Sequence, residues 1–422
     1  MSNTPVVFNE NIEVTTLANG IRVVSETVTH VQSVSIGIWV GVGSRDEDKN
    51  VRGVTHFIEH MLFKGTARRD ARQIADEIES RGGSLNAFTD KEYTCYYAKA
   101  LAEHADVVLD VLTDMLRHSL LDPEELGREQ NVVLEEIKRY EDQPDDLVHD
   151  LFAQTLWNTH PLGRPVIGTS KTVAALGRAD LVDYISTHYT PDRIVVSASG
   201  NVAHADIVAM AEKALGGMAG STYKRNTIRP PMHSGKDKQT RKRTEQVHFC
   251  YGAPAFSQHD DDRYPLTILD TVLGGNMSSR LFQEIREKRG LAYSVGSYSA
   301  SYDEGGLFTV YGGTSPETFN QVLDLTRVEL EKVKKEGITE DELSKSKTQI
   351  RGALVLGLEN MSSRMMRMGK SILYFDRVVP LNEIIHKINQ VSNDDICRIS
   401  QELFDESRLT LAAVGPFKKV EA

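Results

Sequence analysis

Hydrophobic positions follow two different periods along the chain, one typical of strands and the other typical of helices. The first half contains, in order, a hairpin, a half-buried strand, two amphipathic helices and a closing strand, at residues 13–26, 33–44, 105–118, 126–140 and 193–200. Hairpins combined with helices indicate an α+β fold with mostly antiparallel sheets.

The second half of the chain repeats the pattern of the first. Three pairs of segments align in the same order: 76–83 with 283–290, 108–116 with 322–330, and 179–202 with 394–417. A period of about half the chain predicts two similar domains rather than a solenoid. We therefore predict an N-terminal domain at 1–218 and a C-terminal domain at 247–422, joined by a polar, basic linker at 219–246.

Three ionisable residues lie inside an otherwise apolar segment. At about 100° per residue, His56, Glu59 and His60 share one face of a short helix. The positions around them are apolar: Val54, Phe57, Ile58, Met61, Leu62 and Phe63. A helix that is apolar all round is a buried helix, and burying an unpaired charge is costly. A divalent metal bound by two neutral imidazoles compensates directly, so the segment predicts a metal site.

A third ligand is predicted on the helix at 126–140. The carboxylate that points towards a core is Glu136, which shares its face with Val132, Val133, Ile137 and Tyr140. Glu129 lies on the same stripe and is a candidate to hydrogen-bond one of the ligands. The alternative interpretation is that the two histidines are satisfied core residues and Glu136 a buried ion-pair partner. The combination of all these residues favours the metal.

Composition narrows the class of protein only in part. The 422 residues are 40% hydrophobic and 26% charged, which is ordinary for a globular protein. The net charge of −11 disfavours general nucleic-acid binding. The three cysteines contain no CxxC pair, and no apolar run approaches the ~20 residues of a membrane span. Because the N-terminus has no signal-peptide pattern, we expect a cytoplasmic protein with no membrane span.

The order His56-Phe57-Ile58-Glu59-His60 is the H-x-x-E-H motif. Together with Glu136 and the segments "GVTHFIEHMLFKGT" and "RGGSLNAFTDKEYTCYY", it resembles the insulinase/pitrilysin zinc peptidases, family M16. The resemblance covers the whole chain and is strongest to the mitochondrial processing peptidase-like branch, M16B. It implies two homologous α+β domains of the LuxS/MPP-like class, arranged as a clam shell. It also implies one Zn²⁺ per chain in the N-terminal domain and a metal-free C-terminal domain.

The resemblance assigns roles to individual residues. It implies that His56, His60 and Glu136 bind zinc and that Glu59 is the general base acting on zinc-bound water. Arg286 and Tyr293, seven residues apart, are implied to reach the substrate. The alternatives are a solvated charge run for the arginine and a half-buried strand residue for the tyrosine.

A peptide substrate is expected to add as a strand beside the segment at 84–89, where the resemblance implies that Asn86, Ala87 and Phe88 are contacts. The alternative for this segment is an ordinary strand without a ligand. Heteromeric relatives split the zinc motif and the Arg/Tyr pair between two chains, whereas this chain keeps both. We therefore predict a homodimeric zinc endopeptidase that cleaves unfolded or presequence-like peptides in a two-domain chamber. The rival is a non-catalytic scaffold or partner subunit of the same family.

Overall fold

The computed structural model describes residues 10–220, 224–225, 227–233 and 236–417. These residues form two compact units, each with its own sheet and hydrophobic core. Of the described residues, unit 1 takes those in 1–137, 165–226 and 354–382, and unit 2 takes those in 138–164, 227–353 and 383–422.

The α-helices of the described residues are numbered here in chain order. They are α1 (Val54–Leu62), α2 (Ala71–Glu79), α3 (Ala105–His118), α4 (Pro123–Glu141), α5 (Pro144–Trp157), α6 (Ser170–Val173), α7 (Arg178–His188), α8 (His204–Leu215), α9 (Arg263–Leu273), α10 (Phe319–Glu336), α11 (Glu340–Gly357), α12 (Met361–Phe375), α13 (Leu381–Gln390) and α14 (Asn393–Leu403). A π-helical turn covers Phe282–Glu287, and short 3₁₀ turns lie at Ser44–Asp46, Ala102–His104, Pro161–Gly163 and Pro191–Arg193. Within the described part of the chain, none of these helices combines the length and hydropathy that crossing a bilayer requires.

Unit 1 contains a six-stranded mixed sheet. Its strands are β1 (Ile12–Thr16), β2 (Arg22–Thr27), β3 (Ser33–Val40), β4 (Ser84–Thr89), β5 (Thr94–Leu101) and β6 (Ile194–Gly200). They are arranged in the order β1-β2-β6-β3-β5-β4, and only β2 and β6 pair in parallel. The hairpin, the helices and the closing strand predicted from the sequence are all present, and β4 is an edge strand.

Unit 2 contains a five-stranded sheet that repeats this arrangement. Its strands are β7 (Asp237–Arg241), β8 (Val247–Ala255), β9 (Ala292–Ser301), β10 (Gly306–Thr314) and β11 (Thr410–Gly415). The order β7-β11-β8-β10-β9 matches β2-β6-β3-β5-β4, and the closing strand, β11 here and β6 in unit 1, is again a member of the parallel pair. The sheets therefore confirm the α+β prediction and the internal repeat.

The segment predicted as a linker differs from that expectation at its end. Residues 237–241 form β7, because they occupy the place that β2 takes in the first sheet and pair with the closing strand β11. The polar composition of this strand fits an exposed edge. Residues 221–223, 226 and 234–235 of the predicted linker lie outside the described residues.

Each sheet is covered on its second face by a helix from the other half of the sequence. Helix α12 packs on β2, β3 and β6 in unit 1, and α5 packs on β8 and β11 in unit 2. The compact units therefore differ from the predicted domains at 1–218 and 247–422 in these two segments. The pattern of apolar residues could not reveal the exchange, because periodicity shows which face is buried but not by what.

Strand β3 shows the consequence of this exchange. The sequence predicts a half-buried strand, but every residue after Ser33 is buried, because α12 covers the face expected to be solvated. The close approach depends on glycine: a Cβ at Gly369 of α12 would lie 2.1 Å from Nε1 of Trp39 on β3. Both faces of the sheet are thus packed, and its edge strand β4 contacts α1.

Candidate metal centre

Helix α1 is anchored at its N-terminus by a buried carboxylate. Glu47 accepts hydrogen bonds from the backbone amides of Gly53 at 2.8 Å and Thr55 at 3.0 Å. These amides are donors that a helix leaves unsatisfied, and Gly53 itself has no side chain to cap them. The first turn, which carries His56, is therefore held in place from outside the helix.

The ionisable face of α1 is more open than the sequence predicts. Phe57, Ile58 and Met61 are fully buried in the core, as expected. The side chains of His56 and His60, however, are 14% and 21% exposed, so the helix is not buried on every side. A partly open face gives a ligand access to these residues.

The three predicted metal ligands converge. One Glu136 carboxylate oxygen lies 3.7 Å from Nε2 of His60 and 4.0 Å from Nε2 of His56. One ligand atom from each of the three residues lies within 4.8 Å of the other two. Among the described residues, this is the one group of three or more His, Cys, Asp or Glu side chains close enough to hold a metal. Two imidazoles and a carboxylate form a donor set that catalytic zinc sites use, so the residues fit the ion.

The position of Glu136 on α4 corrects one detail of the sequence analysis. Val133 and Ile137 are buried, but Val132, which was assigned to the same core-facing stripe, is 51% exposed. Glu136 is itself about one-third exposed. It therefore lies at the margin of the core, where a carboxylate keeps partial access to solvent.

A carboxylate on α4 orients one of the two imidazoles. Nδ1 of His60 lies 2.8 Å from Oε1 of Glu129, which is buried, and Oε2 of Glu129 lies 2.5 Å from Nζ of Lys64. With its proton on Nδ1, His60 presents the Nε2 lone pair towards Glu136. The place of Glu129 was predicted from the sequence, but its contact with Lys64 was not.

The two histidines differ in their electrostatic environment. Burial, together with the smaller effect of the nearby His60, lowers the pKa of His56 to about 3, so that this imidazole is neutral, as a metal ligand must be. Burial also lowers the pKa of His60, but the hydrogen bond to Glu129 and the charges of Glu129, Glu59 and Glu136 outweigh it and raise the pKa overall. Nδ1 of His56 is buried and has no hydrogen-bond partner among the described residues.

Glu59 lies between the two histidines in the sequence and is bonded to a strand. Its Oε2 accepts a hydrogen bond of 2.5 Å from the hydroxyl of Thr89, the last residue of β4. Burial raises the pKa of Glu59 above its usual range, although the Thr89 bond and His60 act in the opposite direction. The contact between Thr89 and Glu59 was not predicted from the sequence. The predicted edge strand ends there, but no pattern indicates which helix residue its hydroxyl meets.

The predicted substrate strand is the edge strand β4, which among the described strands pairs with β5 alone. The backbone amide of Ala87 donates to Oδ1 of Asn86 at 2.8 Å, so a side chain of the strand itself satisfies this amide. The ring of Phe88 packs edge-on against Trp39 at 5.9 Å between centroids. Asn86 and Ala87 thus lie on an accessible edge, whereas Phe88 belongs to an aromatic cluster.

Arg286 and Tyr293 lie close together in unit 2. The guanidinium carbon of Arg286 is 5.2 Å from the ring centroid of Tyr293 and 4.8 Å from that of Phe282. Tyr293 is the second residue of the edge strand β9 and is 79% exposed, so the alternative of a half-buried strand residue is wrong. Gly290, two residues before this strand begins, has a φ of +61°, in the left-handed region that favours glycine.

Comparison with known proteins places this geometry in a family. The model described as "Insulinase (Peptidase family M16)" matches residues 22–170, and the one described as "Peptidase M16 inactive domain" matches residues 175–350. The "Uncharacterized zinc protease YmxG" of Bacillus subtilis is 45% identical over 402 residues, 95% of this chain and 97% of that protein. A zinc protease of Streptomyces coelicolor is 41% identical over 97% of this chain and 90% of its own.

Solved structures agree on the fold. A peptidase M16 inactive domain from Pseudomonas fluorescens matches with a TM-score of 0.90 over 97% of this chain and 98% of its own, at 19% identity. A protease from Helicobacter pylori matches with a TM-score of 0.89 over 96% of this chain and all of its own, at 23% identity. The finer assignment to the M16B branch stays a prediction. The chain belongs to the insulinase family of peptidases, family M16.

Proposed function

We propose that this chain is a zinc-dependent endopeptidase that cleaves extended peptides. The observation that carries the proposal is the convergence of His56, His60 and Glu136 beside the half-buried carboxylate of Glu59. A non-catalytic scaffold would have no physical need for this arrangement. The names of the relatives in Bacillus subtilis and Streptomyces coelicolor, both zinc proteases, support the same activity.

The ligand residues and their neighbours prepare the site for one zinc ion. His56 and His60 would each offer Nε2, and Glu136 a carboxylate oxygen, while Glu129 holds His60 in the required tautomer. When bound, zinc supplies a Lewis acid that polarises the scissile carbonyl and lowers the pKa of water towards ~7.

Glu59 is the general base in this proposal. It adjoins His60 in the sequence but is outside the converging ligand set, and its Oε2 is held by Thr89. Its other oxygen is bonded to no group among the described residues and is free to accept a proton. Glu59 takes the proton from the attacking water and then delivers it to the amine that leaves.

The substrate is held by its backbone on β4. An extended peptide that pairs with this edge strand takes the place of the Asn86 carboxamide on the Ala87 amide. Such pairing makes few demands on side chains, which suits a general oligopeptidase as well as a presequence peptidase. Arg286 and Tyr293 are proposed donors to the substrate backbone. The homodimer and the cytoplasmic location also remain predictions.

The test combines metal analysis with a peptide digest. Purified wild-type protein should contain about one zinc per chain and should cleave peptides from a library in a manner that a chelator abolishes. Glu59→Gln should keep its zinc and lose about 10²–10⁴ in kcat, because only the base is removed. Chelator-insensitive cleavage, or a Glu59→Gln variant with wild-type activity, would contradict the proposal.

A further inference from the structure

We propose that Thr89 is a positioning residue for Glu59, so that the strand which receives the peptide also orients the general base. This inference rests on the proposed function. It concerns a residue that is neither a metal ligand nor a predicted substrate contact.

The direction of the Thr89 side chain follows from the pleat of β4. Leu85 and Ala87 pack against the core of unit 1, and Thr89, two residues further along, lies on the same face. Helix α1 packs against this strand. The hydroxyl of Thr89 therefore meets α1 at the one turn where Glu59 projects, and donates to Oε2 at 2.5 Å.

The hydrogen bond fixes a side chain that is otherwise weakly constrained. Glutamate has three rotatable side-chain bonds, and no other hydrogen bond to the Glu59 carboxylate is formed within the described part of the chain. A short bond from a hydroxyl to a carboxylate is among the stronger hydrogen bonds in proteins. It ties Oε2 to the end of β4 and leaves Oε1 as the oxygen that accepts the proton.

Because Thr89 ends an edge strand, its hydrogen bond also links the general base to the strand proposed to bind the peptide. The backbone of β4 is the surface on which we propose the peptide adds, and Thr89 terminates that strand. In this proposal, the same strand positions both the scissile bond of the peptide and the carboxylate of the base. A displacement of about 1 Å in such an arrangement typically costs about 10²-fold in rate.

The experiment compares variants that remove the hydroxyl with one that keeps it. Thr89→Val preserves the β-branched shape and removes the donor, Thr89→Ala removes donor and shape, and Thr89→Ser restores the donor. Thr27→Val is the matched control, because Thr27 also ends a strand of this sheet and its hydroxyl donates to a backbone oxygen, that of Val202 at 2.9 Å. For each variant, kcat, KM, zinc content and thermal midpoint are measured with a chelator-sensitive peptide substrate.

Thr89→Val and Thr89→Ala should lower kcat about 10- to 100-fold with KM, zinc content and thermal midpoint close to wild type. Thr89→Ser should recover kcat to within a few-fold, and Thr27→Val should be unchanged. A crystal structure of Thr89→Val should show the Glu59 carboxylate turned from its wild-type orientation. A kcat for Thr89→Val within twofold of wild type would overturn the inference, as would a loss that follows zinc content or the midpoint.

A double-mutant cycle separates positioning from a structural role. If Thr89 acts through Glu59, adding Thr89→Val to Glu59→Gln should change the residual kcat by less than about twofold. Losses that multiply in the double variant would overturn the inference while leaving the proposed function intact. A wild-type protein without chelator-sensitive activity would instead overturn the proposed function, and this inference with it.

Discussion

Helices α1 and α9 occupy the same place in the two repeats, yet they use their carboxylates differently. Each helix packs against an edge strand, α1 against β4 and α9 against β9. Each carries a carboxylate that accepts hydrogen bonds from that strand. In unit 1 it is Glu59, bonded to Thr89; in unit 2 it is Asp270, bonded to Ser297 and Ser299.

The difference lies in how completely each carboxylate is satisfied. Asp270 accepts from the Ser297 hydroxyl at 2.5 Å, the Ser299 amide at 3.1 Å and the Ser299 hydroxyl at 3.4 Å. Among the described residues, the Glu59 carboxylate accepts one hydrogen bond, from Thr89, and the charge of His60 acts on it. The same arrangement of a helix on an edge strand can therefore hold either a fully hydrogen-bonded carboxylate or one with an oxygen left free to react. A free carboxylate oxygen beside two histidines distinguishes α1.

The largest test of this comparison removes a ligand from α1. His60→Ala should lose zinc and lower activity by at least about 10³-fold, because the metal site loses one of its three protein ligands. Zinc content is measured together with kcat/KM. His30→Ala, at an exposed position of the same unit, is the control and should retain both. Full zinc content in His60→Ala would remove this residue from the site.

The next test concerns the edge strands rather than the helices. Tyr293 on β9 aligns with Asn86 on β4, so a phenol stands where the first repeat has an amide. Tyr293→Phe should lower kcat about 10²–10³-fold if the hydroxyl donates at the transition state. The measurement is kcat/KM with zinc content and thermal midpoint. Unchanged kcat/KM would exclude Tyr293 from the mechanism.

Features that depend on the local sequence pattern were predicted correctly more often than contacts between distant segments of the chain. Helix geometry was enough to predict that His56 and His60 share a face and that Glu136 and Glu129 lie on one stripe of the second helix. The contact between Thr89 and Glu59 was not readable, because it joins two elements whose relative position depends on the packed fold.

The same limit explains what was misread at the level of the fold. The burial of β3 depends on α12, more than 300 residues later, and β7 forms because a closing strand offers it an edge. Neither partner can be identified from the period of the segment itself. The internal repeat identifies the partner of β7 only when the two sheets are compared strand by strand.

A smaller effect is expected from the residue that supports a ligand. Glu129→Gln should weaken zinc affinity about 10- to 100-fold, because the amide holds His60 less firmly and leaves Lys64 without its counter-charge. Competition with a chromophoric chelator measures the affinity without reference to activity. Glu125→Gln, on the same helix and paired with Arg128 at the surface, is the matched control. Equal affinities of the two variants would contradict the role of Glu129.

The smallest effect should come from the structural carboxylate of unit 2. Asp270→Ala leaves the Ser299 amide without its acceptor, which should lower the free energy of unfolding by about 1–3 kcal/mol. Each kcal/mol corresponds to a fall of about 2–4 °C in the thermal midpoint. Burial raises the pKa of Asp270 even though the two serines oppose the shift. A raised pKa in the folded state means that the wild-type contribution is largest below the unfolded value of about 3.9 and declines as pH rises.

The midpoint difference between wild type and Asp270→Ala should therefore be larger at acid pH than at neutral pH, and kcat should stay at the wild-type value. A fall in kcat of Asp270→Ala without a fall in the midpoint would break the comparison, because the carboxylate of the second repeat would then serve the reaction and not the fold.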